Sequence, residues 1–204
     1  IFIAENVKGL VNLENVKEII KKDFSSAGEN GYIVLNPKVL HSANYGVPQS
    51  RERVIFIGIK KSELTKSALA ELEKEIISDK YNPYPKPTHS YTAKGENLKK
   101  FVELNEIFSL LEEPENTTDL SQKFYSKAKY MGSHCQGQTE IKPNGISPTI
   151  RAEHHGNIEF RRLSKENGGK IDNELSKGLI ERRLTPRECA LIQTFPPDYD
   201  FVIE

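Results

Sequence analysis

The amino-terminal part of the chain alternates short apolar runs with polar, glycine-containing breaks. Ile1-Phe2-Ile3-Ala4 predicts a short buried strand that ends at the polar Glu5-Asn6. Asn12 precedes apolar residues at the helical period and predicts a helix that it caps; the apolar residues are Leu13, Val16, Ile19, Ile20 and Phe24. After the glycines at 28 and 31, residues 32–40 predict a strand broken at Pro37.

The next apolar run, from Arg53 to Ile59, is continuous rather than alternating. Its β-branched and aromatic residues predict a strand that is buried on both faces. A strand, a helix and two further strands at this spacing are typical of an α/β sheet, of which they would form the second half.

Charged and proline-rich segments come after this strand. Residues 62–78 predict a charged helix, and Pro83, Pro85 and Pro87 predict a stiff connector between two domains. Residues 98–111 predict another helix, beyond which the pattern is irregular.

One further helix, at 185–195, has a sharply defined start. Thr185 is a natural N-cap, Pro186 fits the first helical position, and Glu188 completes a capping box.

Composition predicts a soluble globular protein with 36% hydrophobic and 28% charged residues. The sequence has no long apolar span and no signal-peptide pattern, and its two cysteines give no disulfide framework, which suits a reducing cytoplasm. Residues 121–187 carry 13 basic and 7 acidic side chains, a net charge of +6. Such a region indicates a polyanionic partner or simply a solvated basic face.

The segment Tyr45-Gly46-Val47-Pro48-Gln49-Ser50-Arg51-Glu52-Arg53 places a glutamine and two arginines directly before the buried strand. Arginine is always charged and carries five donors in a planar fork, so at such a position it commonly meets an anion or an electron-rich ring. Taken alone, the segment is more typical of a salt-bridged strand end.

Three segments together resemble the C5-cytosine DNA methyltransferases: Phe2-Ile3-Ala4-Glu5-Asn6-Val7, the Gln49-x-Arg51-x-Arg53 block, and Leu184-Thr185-Pro186-Arg187-Glu188-Cys189-Ala190. The resemblance implies an α/β fold: the C-terminal half of a SAM-dependent methyltransferase sheet domain plus a small irregular α+β target-recognition domain. We expect residues 1–80 to belong to the catalytic domain and residues 81–204 to the DNA-binding domain.

The resemblance also implies roles in catalysis. Cytosine C6 accepts a thiolate only when the ring can take up electrons, so an acid near N3 is needed. Glu5 would be that acid, and Arg53 would bind the O2 side of the base. Arg51 and Gln49 would brace the site, and Asn6 would position the loop that carries the nucleophile.

A second set of residues is expected to bind DNA, whose target base must leave the stack. By resemblance, Gln136, beside Gly137, would fill the vacated space, and Thr149 would contact a phosphate next to the flipped nucleotide. The residues after Thr149 offer natural partners for base edges in the major groove: Arg151, Glu153, His154 and His155.

Other chemistry has weaker support in the sequence. His134, Cys135, His154 and His155 do not fit a usual zinc-finger spacing, so we predict no metal site. Neither Cys135 nor Cys189 is expected to be the nucleophile, which the family carries on a Pro-Cys loop.

The family's order of motifs places that loop, and most of the S-adenosyl-L-methionine site, before Ile1. We therefore expect a fragment of a longer or two-subunit bacterial restriction-modification enzyme, inactive alone, whose partners are double-stranded DNA and, in the two-subunit case, an N-terminal subunit. The expected location is the cytoplasm, on the nucleoid. The alternative is a non-catalytic sequence-specific DNA-binding module or specificity subunit.

Overall fold

The computed structural model describes residues 1–13, 15–95, 97–125, 141–150, 160–162 and 181–202. The chain forms two compact units. The sheet unit comprises residues 1–41 and 52–87, and the loop unit comprises residues 42–51 and 88–204. The sequence predicted one division at residue 80, whereas here the segment 42–51 groups with residues far along the chain. The catalytic and DNA-binding assignments of the two parts stay predictions.

The sheet unit contains four strands arranged around a central one. These are β1 (Phe2–Val7), β2 (Tyr32–Val34), β3 (Lys38–His41) and β4 (Glu52–Lys60). The other three each pair antiparallel with β4, in the order β1-β4-β2 with β3 also on β4. Strands β1 and β2 therefore run parallel to each other, and helix α1 (Val16–Ser25) connects them, as expected for an α/β sheet.

Strand β4 is buried on both faces, as its apolar run predicted, since the adjacent residues Phe56 and Ile57 are both buried. On one face, Ile57 packs with Leu35, Leu72 and Tyr84. The Tyr84 hydroxyl lies 3.1 Å from the carbonyl oxygen of Asn36 and 3.0 Å from that of Ile55, either of which can accept its one proton, while burial raises its pKa to about 12.

The opposite face of the sheet holds an aromatic cluster. The ring of Phe2 lies 4.3 Å from that of Phe24 on α1 and 5.3 Å from that of Tyr32, between centroids. Phe2 also lies directly over Gly58, where a Cβ atom would come within 1.9 Å of the ring. Position 58 therefore requires glycine for this close approach.

Two predictions about the first forty residues are wrong. Strand β1 is not buried, because Ile3 is 69% exposed and lies outside the apolar cluster on its face. Asn12 does not cap a helix, because it ends a 3-10 turn, Lys8–Asn12. Helix α1 follows Asn15, whose φ of 63° marks the true start. The predicted break at Pro37 is confirmed, since β2 and β3 lie on either side of it.

The rest of the sheet unit is a 3-10 turn, Lys61–Glu63, and helix α2, Lys66–Leu72. The Thr65 hydroxyl caps α2 by accepting the N–H of Ala68 at 3.2 Å. The helix predicted over 62–78 is therefore shorter than expected.

The loop unit is built from short elements. They are a 3-10 turn Ser42–Tyr45, β5 (His89–Ser90), β6 (Lys99–Lys100), α3 (Leu104–Phe108), α4 (Leu120–Lys123), β7 (Phe160–Arg162), β8 (Glu181–Arg183) and α5 (Pro186–Ile192). Strands β5 and β6 pair parallel, and β7 and β8 pair antiparallel. A buried apolar cluster joins α3 and α5, consisting of Leu104, Phe108, Ile141, Leu184 and Ile192.

The helix predicted over 98–111 is only α3, because Lys99–Lys100 pair with His89–Ser90 as a strand instead. The capping box of α5 is confirmed: the Thr185 hydroxyl accepts the N–H of Glu188 at 3.0 Å, and the Glu188 carboxylate accepts the N–H of Thr185 at 2.9 Å. Among the described residues, no helix has the length and apolar character needed to cross a bilayer.

Candidate functional site

Strand register brings Glu5 and Arg53 together on the sheet unit. Glu5 lies opposite Ile55, and Arg53 lies opposite Val7. Residues two apart on a strand share a face, so Glu5 and Arg53 are diagonal neighbours across the β1–β4 pair, within reach of long side chains. The Arg53 Nε lies 2.7 Å from the Glu5 Oε1.

The pair is open to solvent on one side. The side chain of Arg53 is 22% exposed and that of Glu5 is 50% exposed. Arg53 also donates from Nη1 to the carbonyl oxygen of Glu52 at 2.8 Å. An ion pair this exposed contributes only about 0–1 kcal/mol to stability. The two side chains can therefore separate at little cost and bind another polar group.

Asn6, the third predicted residue on the sheet unit, is not part of this pair. As the neighbour of Glu5 on β1 it faces the other side of the sheet. Its side-chain oxygen accepts the N–H of Val7 at 2.8 Å. Glu52, the neighbour of Arg53 on β4, likewise faces the other side of the sheet from Arg53. Its carboxylate binds Lys8 Nζ at 2.9 Å.

Gln49 and Arg51 lie in the segment 42–51 of the loop unit, whose main chain is organised by Ser42. The Ser42 hydroxyl donates to the carbonyl oxygen of Gln49 at 2.5 Å and accepts the N–H of Arg51 at 3.2 Å. The Ser42 N–H donates to the Arg51 carbonyl oxygen at 2.9 Å. Gln49 is 2% exposed, and its Nε2 has no hydrogen-bond partner among the described residues.

Residues 147–149 of the loop unit bind the same segment, 42–51. The Ser147 N–H donates to the Pro48 carbonyl oxygen at 2.9 Å, and the Ser50 N–H donates to the Ser147 carbonyl oxygen at 2.6 Å. These bonds form a parallel bridge between Gln49 and Ser147. The Thr149 hydroxyl donates to the Ser50 carbonyl oxygen at 2.7 Å. We call these contacts the 48–50/147–149 clamp.

Thr88, directly before β5, and His89 on β5 contact the beginning of the segment. The Thr88 N–H donates to the Asn44 carbonyl oxygen at 2.9 Å. Gly46 has a φ of 85°, and a Cβ there would come within 2.9 Å of the His89 ring, so a side chain is excluded. Burial raises the pKa of Tyr45 in the same turn.

Buried ion pairs at the start of α5 were not anticipated from the sequence. Arg182 binds both carboxylate oxygens of Glu188 at 2.8 Å. The Thr185 hydroxyl donates to the Gln122 side-chain oxygen at 2.6 Å, which connects α5 to α4. Burial alone would lower the pKa of Arg182, but the hydrogen bonds and charge of Glu188 outweigh it and raise that pKa.

Arg187 forms a second internal pair, with its Nε 2.8 Å from the Asp119 Oδ2. Burial would raise the pKa of Asp119, but hydrogen bonds from Arg187 and Ser121 outweigh it and lower that pKa. Arg182 and Arg187 both contributed to the net charge of the basic region. Because their charges are neutralised inside the protein, they are not available to a polyanion.

The remaining sequence-predicted DNA-binding residues lie outside the described residues: Gln136, Gly137, Arg151, Glu153, His154 and His155. Cys135 and His134 lie there too. Within the residues that are described, no three His, Cys, Asp or Glu side chains are grouped so as to hold a metal ion. Cys189 on α5 is partly buried against the apolar cluster of the loop unit.

Known proteins resemble this chain over its whole length. The family model for C-5 cytosine-specific DNA methylases matches residues 1–204. The type II methyltransferase M.BsuRI of Bacillus subtilis is 32% identical over 206 residues, which cover 98% of this chain and 40% of that protein. The type II methyltransferase M.BspRI of Lysinibacillus sphaericus is 32% identical over 204 residues, covering 98% and 42%.

The fold also has a solved counterpart. The crystal structure of the Dnmt2 methyltransferase of S. pombe aligns with a TM-score of 0.51 at 15% identity, over 98% of this chain and 55% of that one. At this identity the likeness concerns the fold alone. The chain spans 40–50% of the length of the first three curated relatives that it matches.

Proposed function

The chain belongs to the C-5 cytosine-specific DNA methylase family, and we propose that it forms the carboxy-terminal part of a DNA (cytosine-5-)-methyltransferase. The complete enzyme would transfer a methyl group from S-adenosyl-L-methionine to C5 of a cytosine flipped out of a specific duplex site. We place it in bacterial restriction-modification, in the cytoplasm, because the relatives at 32% identity are type II methyltransferases of bacteria.

The observation that carries this proposal is the pairing of Glu5 with Arg53 at 2.7 Å. A nucleophile adds to cytosine C6 only if negative charge that develops on the ring is stabilised at N3 and O2. A carboxyl group can donate a proton to N3, and a guanidinium can donate hydrogen bonds to O2. Two neighbouring side chains with these properties match the two neighbouring acceptors of the base.

The pair in the free protein is compatible with such a role. Its exposed geometry allows the carboxylate to leave Arg53 when a base arrives, at a cost of about 0–1 kcal/mol. The guanidinium carries five N–H donors, so it can turn toward O2 while Nη1 stays on the Glu52 carbonyl oxygen. In a site from which water is excluded, such a donor could lower the barrier by roughly 2.7–4 kcal/mol.

The other predicted residues take supporting roles in this proposal. Gln49 and Arg51 would brace the site from the segment that Ser42 organises. Asn6, on the opposite face of β1, would position the loop that carries the nucleophile. Base readout and filling of the vacated space stay assigned by resemblance to Gln136, Gly137, Arg151, Glu153, His154 and His155.

The attacking cysteine is proposed to lie outside this chain. Cys189 packs against the apolar cluster of the loop unit, as a small core side chain does. The matched part is 40–50% of the length of the first three curated relatives, which leaves room for the missing motifs. The nucleophile loop would come from further sequence of the same enzyme or from a partner subunit.

S-adenosyl-L-methionine would supply the methyl group when bound, and we place most of its site outside this chain. A cavity of about 430 Å³ in the sheet unit is lined by charged side chains of both signs, Lys21, Lys61, Lys74, Glu73 and Glu75, and nothing in this lining identifies it as a cofactor site. We assign no described residue to the cofactor.

The experiment that tests the proposal supplies the complete enzyme with methyl-labelled S-adenosyl-L-methionine and duplex DNA. The labelled nucleoside is then identified after digestion of the DNA. We expect label at cytosine C5, whereas label on N4 of cytosine or on adenine would contradict the reaction. Sequence-specific DNA binding without any transfer would favour the alternative, a non-catalytic recognition module or specificity subunit.

A further inference from the structure

We infer that Thr149 is a positioning residue for the Gln-x-Arg-x-Arg segment. Its hydroxyl would hold the main chain at Ser50 in the geometry that catalysis requires. The inference rests on the proposed function, and it differs from the phosphate contact that the resemblance implies for this threonine.

The Thr149 hydroxyl has a single proton to donate. That proton points to the Ser50 carbonyl oxygen at 2.7 Å. Phosphate oxygens are acceptors only, so they need a donor. Thr149 could bind a phosphate only by giving up the bond to Ser50. In the geometry observed here, the Thr149 hydroxyl donates its proton to the protein main chain and not to DNA.

This bond completes the 48–50/147–149 clamp. The two main-chain bonds of Ser147, of 2.9 and 2.6 Å, reach Pro48 and Ser50. The Thr149 bond adds a third, between residues that are 99 positions apart in sequence. The N–H of the Ser50–Arg51 peptide donates to the Gln49 carbonyl oxygen at 3.1 Å and to the Ser42 hydroxyl at 3.2 Å, and the Thr149 bond holds the carbonyl side of the same peptide. Contacts on both sides of the peptide restrain the orientation of its plane.

The fixed peptide plane also determines where Arg51 lies. The plane that contains the Ser50 carbonyl also contains the N–H of Arg51, which binds the Ser42 hydroxyl at 3.2 Å. A rotation at this peptide therefore weakens the Ser42 contact and displaces Arg51. Thr149 is thus a second side-chain anchor of the segment, beside Ser42.

The test compares Thr149→Val with Thr149→Ser in the complete enzyme. Valine keeps the branched shape and removes the hydroxyl, whereas serine keeps the hydroxyl and removes the methyl group. Thr92→Val is the matched control, since Thr92 is an exposed threonine of the same unit. Two quantities are measured for each: the rate of methyl transfer in a single turnover at saturating DNA and cofactor, and the Kd for duplex DNA.

Thr149→Val should lower the single-turnover rate about 10- to 100-fold, because it would displace Arg51, which braces the site, and small misplacements within a site have effects of this size. Its Kd should match that of Thr92→Val, and Thr149→Ser should recover most of the rate. The stoichiometry of DNA binding gives the folded concentration of each preparation, so unfolded protein is not counted as slow enzyme.

Three outcomes would overturn the inference. A raised Kd with an unchanged rate would show the phosphate contact instead. An unchanged rate and Kd would show that the hydroxyl has no role, and a Thr149→Ser enzyme as slow as Thr149→Val would assign the effect to the methyl group. Inactivity of the unmodified enzyme would instead contradict the proposed function, so the two failures are distinguishable.

Discussion

Arg182 binds Glu188 through both terminal nitrogens at 2.8 Å, and the two side chains are only 1% and 0% exposed. The pair lies where β8 leads into α5. Glu188 is also the third residue of the α5 capping box, so its carboxylate neutralises a buried arginine and caps a helix at once. A buried charge of this kind is costly unless its partner is present.

Replacing Arg182 by methionine should therefore destabilise the protein strongly. Glu188 would remain buried without its counter-charge, and we expect the free energy of unfolding to fall by about 3–5 kcal/mol. The double change Arg182→Met with Glu188→Gln should recover part of this loss, because glutamine can still accept the Thr185 N–H. The measurement is a double-mutant cycle from urea midpoints, and additive effects of the two changes would contradict the coupling of this pair.

The pair of Asp119 and Arg187 should make stability depend on pH. The pKa of Asp119 lies below its ordinary value of 3.8 in the folded protein, with Arg187 and Ser121 outweighing burial. A lowered pKa stabilises the folded state above the unfolded value, and this contribution is lost as pH falls through the folded value. The Tm of the unmodified protein should therefore exceed that of Asp119→Asn by a constant amount near neutral pH, and this difference should become smaller below about pH 4.

Asp198→Asn is the matched control for this pH series, because Asp198 is an exposed carboxylate of the same unit. The difference in Tm between Asp198→Asn and the unmodified protein should be small at every pH. A gap for Asp119→Asn that widens as the pH falls would have the wrong sign for a carboxylate stabilised by Arg187.

Ser42 and Ser90 offer a contrast between two hydroxyl groups of the loop unit. The Ser42 hydroxyl hydrogen-bonds to the main chain of Gln49 and Arg51, whereas the buried Ser90 hydroxyl has no hydrogen-bond partner among the described residues. Ser42→Ala removes two hydrogen bonds, although the Arg51 N–H and the Gln49 carbonyl oxygen still bind each other at 3.1 Å. It should cost about 0.5–1.5 kcal/mol, while Ser90→Ala should be neutral or stabilising. Comparing urea midpoints tests this, and equal losses from both changes would contradict it.

Where neighbouring residues decide the local structure, the sequence alone was sufficient to predict it. The capping box of α5 follows from Thr185 and Glu188, and the double burial of β4 follows from its unbroken apolar run. The proximity of Glu5 and Arg53 followed from the resemblance, and the strand register accounts for it physically. Each of these features depends on neighbouring residues or on one strand pair.

The features that the sequence did not predict depend on distant contacts. The segment 42–51 groups with residues beyond 87 through its bonds to Thr88 and Ser147, and no local pattern encodes these. The net charge of residues 121–187 includes Arg182 and Arg187 as if they were surface groups, although both are buried in ion pairs with Glu188 and Asp119. The start of α1 was misplaced because Asn15 adopts a left-handed backbone that propensity alone does not indicate.

The proposed action of Glu5 on the cytosine ring is best tested by comparing Glu5→Gln with Glu52→Gln in the complete enzyme. Glu52 is a comparably exposed carboxylate of the same sheet whose ion pair is with Lys8. Glu5→Gln should lower the single-turnover rate of methyl transfer by about 100-fold or more, the usual contribution of an acid catalyst. Its Kd for duplex DNA should stay unchanged, and Glu52→Gln should transfer methyl groups at the unmodified rate. Equal rates for the two variants, or a loss in Glu5→Gln that is matched by weaker DNA binding, would contradict this role of Glu5.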